Sequence, residues 1–435
     1  LASLSVVGLA RTHYTGSVPN QPQKEMQAMK KTDMKKLFAF GAVALASSFA
    51  CAQTASAPKS SVQLWGIVDM AYRHTNNEGA GKDGLSKMIG GGMSQSRWGI
   101  NVDEDLGGGS KALVVLENRL NADDGSVSTP FFQLSYVGLQ GPYGRLTAGR
   151  QWNVLFDVVT STYASFPYSP YMEAYKPELG MAMGGRTSNM LKYTFATPDR
   201  SFVGSLQYSF DENNDTKALE AGLPASAAQV PAYVGSTLGG GAWQTAGGYL
   251  RYAANGFALG GGFMRTTLPG GTDVDAWTLG GSYRTGPWYF NTGYGLNKAK
   301  YAAVTSPVQG FRNVVDRAIL GQFWAGQTNG GFQPGDADKR QLFKVGVGYQ
   351  LTPQLNLGAH YFRGKQSGGV KNGGASNGNV NFYVAVADYA FSKSTDAYFG
   401  VDHTSISGGS ALVLDGSGGN ARSRTGVTMG IRHRF

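Results

Sequence analysis

The sequence predicts an all-β protein: a transmembrane antiparallel β-barrel of about sixteen strands. Three observations predict it. Apolar and polar residues alternate in recurrent runs of roughly ten residues. Glycine and aromatic side chains abound, with 64 Gly, 22 Phe, 22 Tyr and 7 Trp in 435 residues. Very short turns join the runs at one end, and long polar segments join them at the other.

Composition removes the competing classes. Charged residues make up 15% of the chain, against about a quarter in soluble domains. A mean hydropathy of −0.23 excludes a bundle of membrane helices. The aromatic content argues against disorder. A single cysteine excludes a disulfide scaffold and a cysteine-based zinc site. The formal charge is +10, but basic residues are spread along the chain, so nucleic acid is not an expected partner.

The first element is an address. Met34-Lys35-Lys36 precedes the apolar stretch Leu37–Ala50, and Ala50-Cys51-Ala52 is a small-x-small cleavage site. This is the layout of a secretory signal peptide over 34–52. Ala55-Ser56-Ala57 is an alternative cleavage site. The stretch is short for a membrane helix, and Ser48 stands where a lipoprotein acceptor at Cys51 needs leucine. Residues 1–33 lack a coherent pattern and read as an over-extended start, with translation beginning at Met34 or Met29. The barrel is expected over 53–435.

The strands follow. Leu191, Tyr193 and Phe195 alternate with Ser188, Met190, Lys192 and Thr194. Phe202, Leu206, Tyr208 and Phe210 alternate with polar or small neighbours, as do Trp277, Leu279 and Tyr283. The same period recurs at 288–296, 343–351 and 355–361. Short turns fit at Asp103–Ser110, Gly141–Gly144, Thr197–Ser201, Asn255-Gly256, Thr285–Pro287, Thr352–Gln354 and Ser392–Thr395. Long polar segments fall at Asp211–Gly241, Asn297–Arg340 and Ser407–Ala421. Aromatics near strand ends, such as Trp65, Tyr72, Tyr136, Tyr252, Tyr289 and Tyr398, are expected at membrane interfaces. Val427, Met429, Ile431 and His433 alternate to the terminal Phe435. An aromatic closing such a strand resembles the signal read by the outer-membrane assembly machinery.

Chemistry is sparse. After Ala52 the histidines are His74, His360, His403 and His433, and HExxH, GxSxG and phosphate-loop motifs are absent. No catalytic residue, cofactor or metal site is expected, and the chain is read as a non-enzyme.

Several segments together carry a family resemblance: SVQLWGIVD at Ser61–Asp69, SRWGINVDEDLGGG at Ser96–Gly109, KALVVLE at Lys111–Glu117, YVGL at Tyr136–Leu139, GRLTAGRQ at Gly144–Gln151 and GIRHRF at Gly430–Phe435. The chain resembles the general bacterial porins, in their β-proteobacterial subgroup. The resemblance implies a sixteen-stranded barrel in the outer membrane, assembled as a homotrimer, with a third loop folded inward to narrow the pore. It also implies outer-membrane lipid and lipopolysaccharide as surroundings, and small hydrophilic solutes and ions as cargo.

Here that loop would lie between Asn153 and Gly185. Its acidic groups, Asp157, Glu173 and Glu178, with Glu117 on the third strand, are candidates for the acidic side of a constriction. Strand parity places Arg97 opposite Trp98, Ile100 and Val102, hence inward. Arg186 and Lys192 face inward with Ser188, Arg145 shares a face with Thr147 and Gln151, and Arg119 shares one with Glu117. These five cations are candidates for a basic wall. Arg97 in SRWG and Arg186 in RTSNMLKY match family positions for constriction arginines, whereas Gln133 stands where a third is expected. Opposed walls set a transverse field that selects small polar and charged solutes. The bland alternative is that these charges pair with one another and pin the loop. The expected function is a passive diffusion channel with a mild preference for anions. The alternative is a channel of the same fold selective for a sugar, an organic acid or a phosphate.

Overall fold

A computed structural model describes residues 60–78, 83–164, 185–210, 244–267, 273–300, 339–367, 370–371, 374–375, 378–408 and 421–435. The leader at 34–52, the start at 1–33 and the loop acids Glu173 and Glu178 lie outside the described residues.

The chain builds one antiparallel sheet that closes on itself. Its segments begin with β1 (Ser61–Glu78), β2 (Asp83–Gly90), β3 (Arg97–Gly107), β4 (Ser110–Leu120), β5 (Val127–Gly141) and β6 (Gly144–Trp152). A helix, α1 (Val154–Thr162), comes next. Then follow β7 (Arg186–Ala196), β8 (Phe202–Ser209), β9 (Gln244–Ala254), β10 (Phe257–Thr267), β11 (Asp273–Thr285), β12 (Trp288–Lys300), β13 (Lys339–Gln350) and β14 (Leu355–Ser367). A two-residue hairpin, β15 (Val370–Lys371) with β16 (Gly374–Ala375), precedes β17 (Gly378–Ala390), β18 (Thr395–Gly408) and β19 (Ser423–Arg434).

Sixteen strand positions encircle the barrel, because β2 and β3 share one. Both pair with β1: β2 with Met70–Glu78, and β3 with Ser61–Ile67. The other edge of β1 pairs with β19, from Ile67↔Arg434 to Thr75↔Gly426. Gly66 and Phe435 exchange backbone hydrogen bonds of 3.0 and 3.1 Å and finish the seam. Closure pairs the backbone groups that lipid cannot solvate.

Asp69 explains the break between β2 and β3. Its carboxylate accepts the backbone N–H groups of Gly92, Met93 and Ser94 at 3.1, 3.0 and 2.6 Å. Three successive donors aimed at one anion form a nest, so these residues leave the ladder without losing partners. Ser96 adds its hydroxyl to both the N–H and the carbonyl of Asp69.

The predicted alternation holds. On β1, Val62, Leu64, Val68 and Tyr72 are exposed, while Asp69, Ala71, Arg73 and Thr75 are buried. The exposed face carries the apolar belt, with cross-strand aromatic pairs such as Phe263–Trp277 and Trp288–Tyr349 at 4.5 Å. Short hairpins join the strands at the expected places. Asn255 and Gly256 turn at φ of 51° and 82°, the left-handed pair of a two-residue hairpin.

Two expectations are corrected. Tyr398 and Tyr289 are not interface aromatics. Tyr398 is buried and donates to Asp69, and Tyr289 donates to the carbonyl of Ala164 at 2.8 Å. Both sit on the inward parity of their strands, as do Trp65, on the face of Asp69, and Tyr136, on the face of Leu134, which position along a strand does not reveal. The polar segment Asn297–Arg340 also begins and ends as strand: Asn297 and Lys298 pair with Arg340 and Lys339. Ladder pairing there outweighs the polar composition.

Candidate functional site

The interior is built around α1, which begins one residue after β6. Asn153 caps it, its Oδ1 accepting the Phe156 N–H at 2.9 Å. The apolar face of α1 (Val154, Leu155, Val158 and Val159) is buried, and the helix packs on β8, β9, β10 and β11. Tyr163, fully buried at the end of the helix, lies against the wall where Gly280 and Gly293 leave room. A Cβ on either glycine would come within 2.5 Å of the tyrosine ring. Wall side chains then satisfy the carbonyls at the helix end. Arg251 Nε donates to Ser161 O at 3.0 Å, Ser282 donates to Thr162 O, and Tyr289 donates to Ala164 O. The helix is thereby held inside the barrel at both ends.

Beside its first turn the charged residues converge. Arg97 on β3 and Arg119 on β4 are cross-strand partners on the inward face. Glu117, two residues from Arg119, takes Arg119 Nε at 3.3 Å, Arg186 Nη2 at 3.5 Å and Arg97 Nε at 3.8 Å. Three guanidiniums thus surround one buried carboxylate and leave an excess of positive charge. Gln95, delivered by the break between β2 and β3, accepts a hydrogen bond from Arg119. Trp152 gives the cluster a floor. Its ring stacks on Phe156 at 3.6 Å, and the Arg186 guanidinium lies 3.7 Å above it, a cation–π arrangement.

A second pair joins the loop to the wall. Lys192 Nζ donates to Asp157 Oδ2 and to Trp152 O, both at 2.8 Å. Burial pushes the Asp157 carboxyl above the usual range, against the opposing charges of Lys192 and Arg145. Arg145 lies on the same parity as Thr147, which is buried.

Of the residues singled out in the sequence, Arg97, Arg119, Arg186 and Glu117 come together, and Lys192 meets Asp157. Glu117 does not stand across from the basic residues but in their midst, because the strand that carries Arg119 carries it too. Gln133 is absorbed by its own backbone, donating to Pro130 O at 2.6 Å. Arg186 faces inward with Ser188 and Lys192, as parity has it, although β7 is irregular between them. Gly149–Gln151 on β6 spans Met190–Thr187 on β7, an extra residue accommodated at Asn189 with φ of 53°. Trp152 and Gln95 went unrecognised in the sequence, whereas Arg150, which parity with Leu146 and Ala148 reads as a rim residue, donates through Nη1 to Ser188 Oγ at 2.9 Å. Only Trp152 carried a signal, the tryptophan just before a helix-capping asparagine.

Comparison with known proteins places this geometry. A family model described as Gram-negative porin matches residues 39–409. Outer membrane porin protein 32 of Delftia acidovorans is 33% identical over 264 residues, which cover 58% of this chain and 67% of that protein. Among solved structures, an anion-selective porin from Comamonas acidovorans superposes with a TM-score of 0.62 at 24% identity, covering 87% of this chain and all of that one. The trimer form of OmpT from Vibrio cholerae superposes at 0.56 with 14% identity, covering 86% of this chain and 99% of that one.

Proposed function

We propose a mechanism for a chain that belongs to the Gram-negative porin family and forms a diffusion channel of the outer membrane: anions cross it more readily than cations because its inner wall carries a surplus of guanidinium. The observation that carries this reading is the convergence of Arg97, Arg119 and Arg186 on the single carboxylate of Glu117. One acid among three bases leaves a positive field in a water-filled passage with low-dielectric walls, which focus it. The field lowers the free energy of a passing anion without binding it tightly, so solutes move by diffusion and no covalent step is required.

Lys192 and Asp157 hold α1 against the wall beside this cluster, which supports their place at the narrowing. Arg145 acts on the same carboxylate and belongs with them. The protein is a conduit and not an enzyme. Its oligomer is a homotrimer, a reading supported by the trimeric relative, and residues 34–52 direct its export. The outer-membrane assembly machinery and lipopolysaccharide are its expected partners.

A salt gradient across a planar bilayer tests the proposal. The reversal potential is expected on the anion side, and Arg97→Ala or Arg186→Ala should move it toward cations. A cation-selective parent channel would refute the assignment, and an unchanged potential in both variants would reduce these arginines to loop anchors.

A further inference from the structure

Toward the end of the barrel where the short turns lie, the inner wall carries Arg251 and Arg284, away from the constriction cluster. Arg251 on β9 shares the inward parity of buried Thr245 and Tyr249. Arg284 on β11 shares that of buried Thr278 and of Ser282, which donates to Thr162 O. Their hairpins are neighbours, because Arg284 N donates to Gly256 O at 2.9 Å. Arg251 gives its Nε to Ser161 O. The Arg284 guanidinium lies 4.9 Å from the ring centroid of Tyr289, its cross-strand partner. Among the described residues no carboxylate forms an ion pair with either arginine.

Both arginines border a cleft of about 490 Å³ under the last turn of α1. Ala253 and Ala258, which are cross-strand partners, give it a small-residue apolar floor. Among the described residues that line it there is no acid. Gly260 lets the helix end come this close, since a Cβ there would lie 2.7 Å from Thr162 Oγ1. The carbonyls at the helix end would repel an anion, but Arg251, Ser282 and Tyr289 already take those of Ser161, Thr162 and Ala164.

A guanidinium stacked on a ring keeps its edge N–H groups for bidentate recognition of a carboxylate. Two arginines without acids beside them select an anion, and an apolar floor selects one with an apolar body. The volume is that of a site for a small organic molecule, far more than an inorganic ion fills. We propose that this cleft is a binding station for aromatic carboxylates, with the carboxylate between Arg251 and Arg284 and the ring over Ala253 and Ala258. The station goes beyond the anion preference of the constriction, because it retains one class of solute by its apolar body as well as its charge. Its place at the periplasmic mouth rests on the porin reading, which turns the short turns toward the periplasm.

Equilibrium dialysis of radiolabelled benzoate against the refolded channel in detergent tests it. Saturable binding is expected, and Arg284→Gln should weaken it on the order of tenfold. Ala258→Leu, which fills the floor with both arginines in place, should weaken it as well. Parent-like affinity in both variants would overturn the proposal. Displacement of benzoate by acetate at equal concentration would also overturn it, since charge alone would then be read, and so would equal displacement by uncharged benzamide. In a planar bilayer benzoate should block the parent's chloride current saturably, and the half-blocking concentration should rise in Arg284→Gln. A parent that bound benzoate without conducting would refute the porin reading and leave the station standing. A parent that conducted but neither bound benzoate nor was blocked by it would overturn the station alone.

Discussion

Glu117 carries more of the site's electrostatics than any one arginine around it. Its carboxylate is nearly inaccessible, and with it in place three guanidiniums tolerate close approach. Replacing one partner of a buried ionic cluster leaves the remaining charges uncompensated. Glu117→Gln is therefore expected to lower stability in urea by about 3 kcal/mol. The same change should increase anion preference in a salt gradient. Asp157 behaves differently, because burial raises its carboxyl pKa. A raised carboxyl is protonated at milder acidity than a free one, and once neutral it no longer balances Lys192. Anion preference should thus grow as the solution is taken from about pH 7 toward about pH 4. Asp157→Asn should remove that component, and reversal potentials measured across the pH series check both.

The helix inside the barrel depends on what the wall lacks. Gly280 and Gly293 make a seat for Tyr163, and the wall caps the last carbonyls with Arg251, Ser282 and Tyr289. Tyr163→Ala removes a fully buried ring and should loosen the helix end by about 3 kcal/mol. The expected consequence is a larger single-channel conductance with more open-channel noise. Gly293→Val should act in the same direction by expelling the ring. The break between β2 and β3 follows a related logic, since one buried carboxylate, Asp69, replaces the ladder for three residues and brings Gln95 to Arg119.

Closure unites these parts into one porin. The first and last strands are far apart in the chain, and the seam reaches the final residue through Gly66 and Phe435. Phe435→Ala retains the backbone pairing but removes the terminal ring. It should slow assembly, seen as less of the heat-modifiable folded band on a gel at early times of refolding. Much of this architecture was legible beforehand. The runs at 188–195, 277–284 and 355–361 are strands with the expected faces, and Asn255-Gly256 is a tight hairpin. Site residues were legible where parity suffices, as at Arg97, Arg119 and Lys192. Arg186 was legible too, although β7 is irregular between it and Lys192; what was not legible is where a side chain is spent locally, as at Gln133.

Alternation with a period of two, the spacing of turn residues and the low charge were enough to identify a barrel in a membrane, because backbone pairing in lipid admits few other solutions. Those features are local, and each can be read within about ten residues. Which strand is broken, which tyrosines turn inward, and that Glu117 sits among arginines instead of facing them depended on contacts between residues distant in the chain. Such contacts are set by register and by side-chain volume across the closed sheet, and neither is written in any single segment.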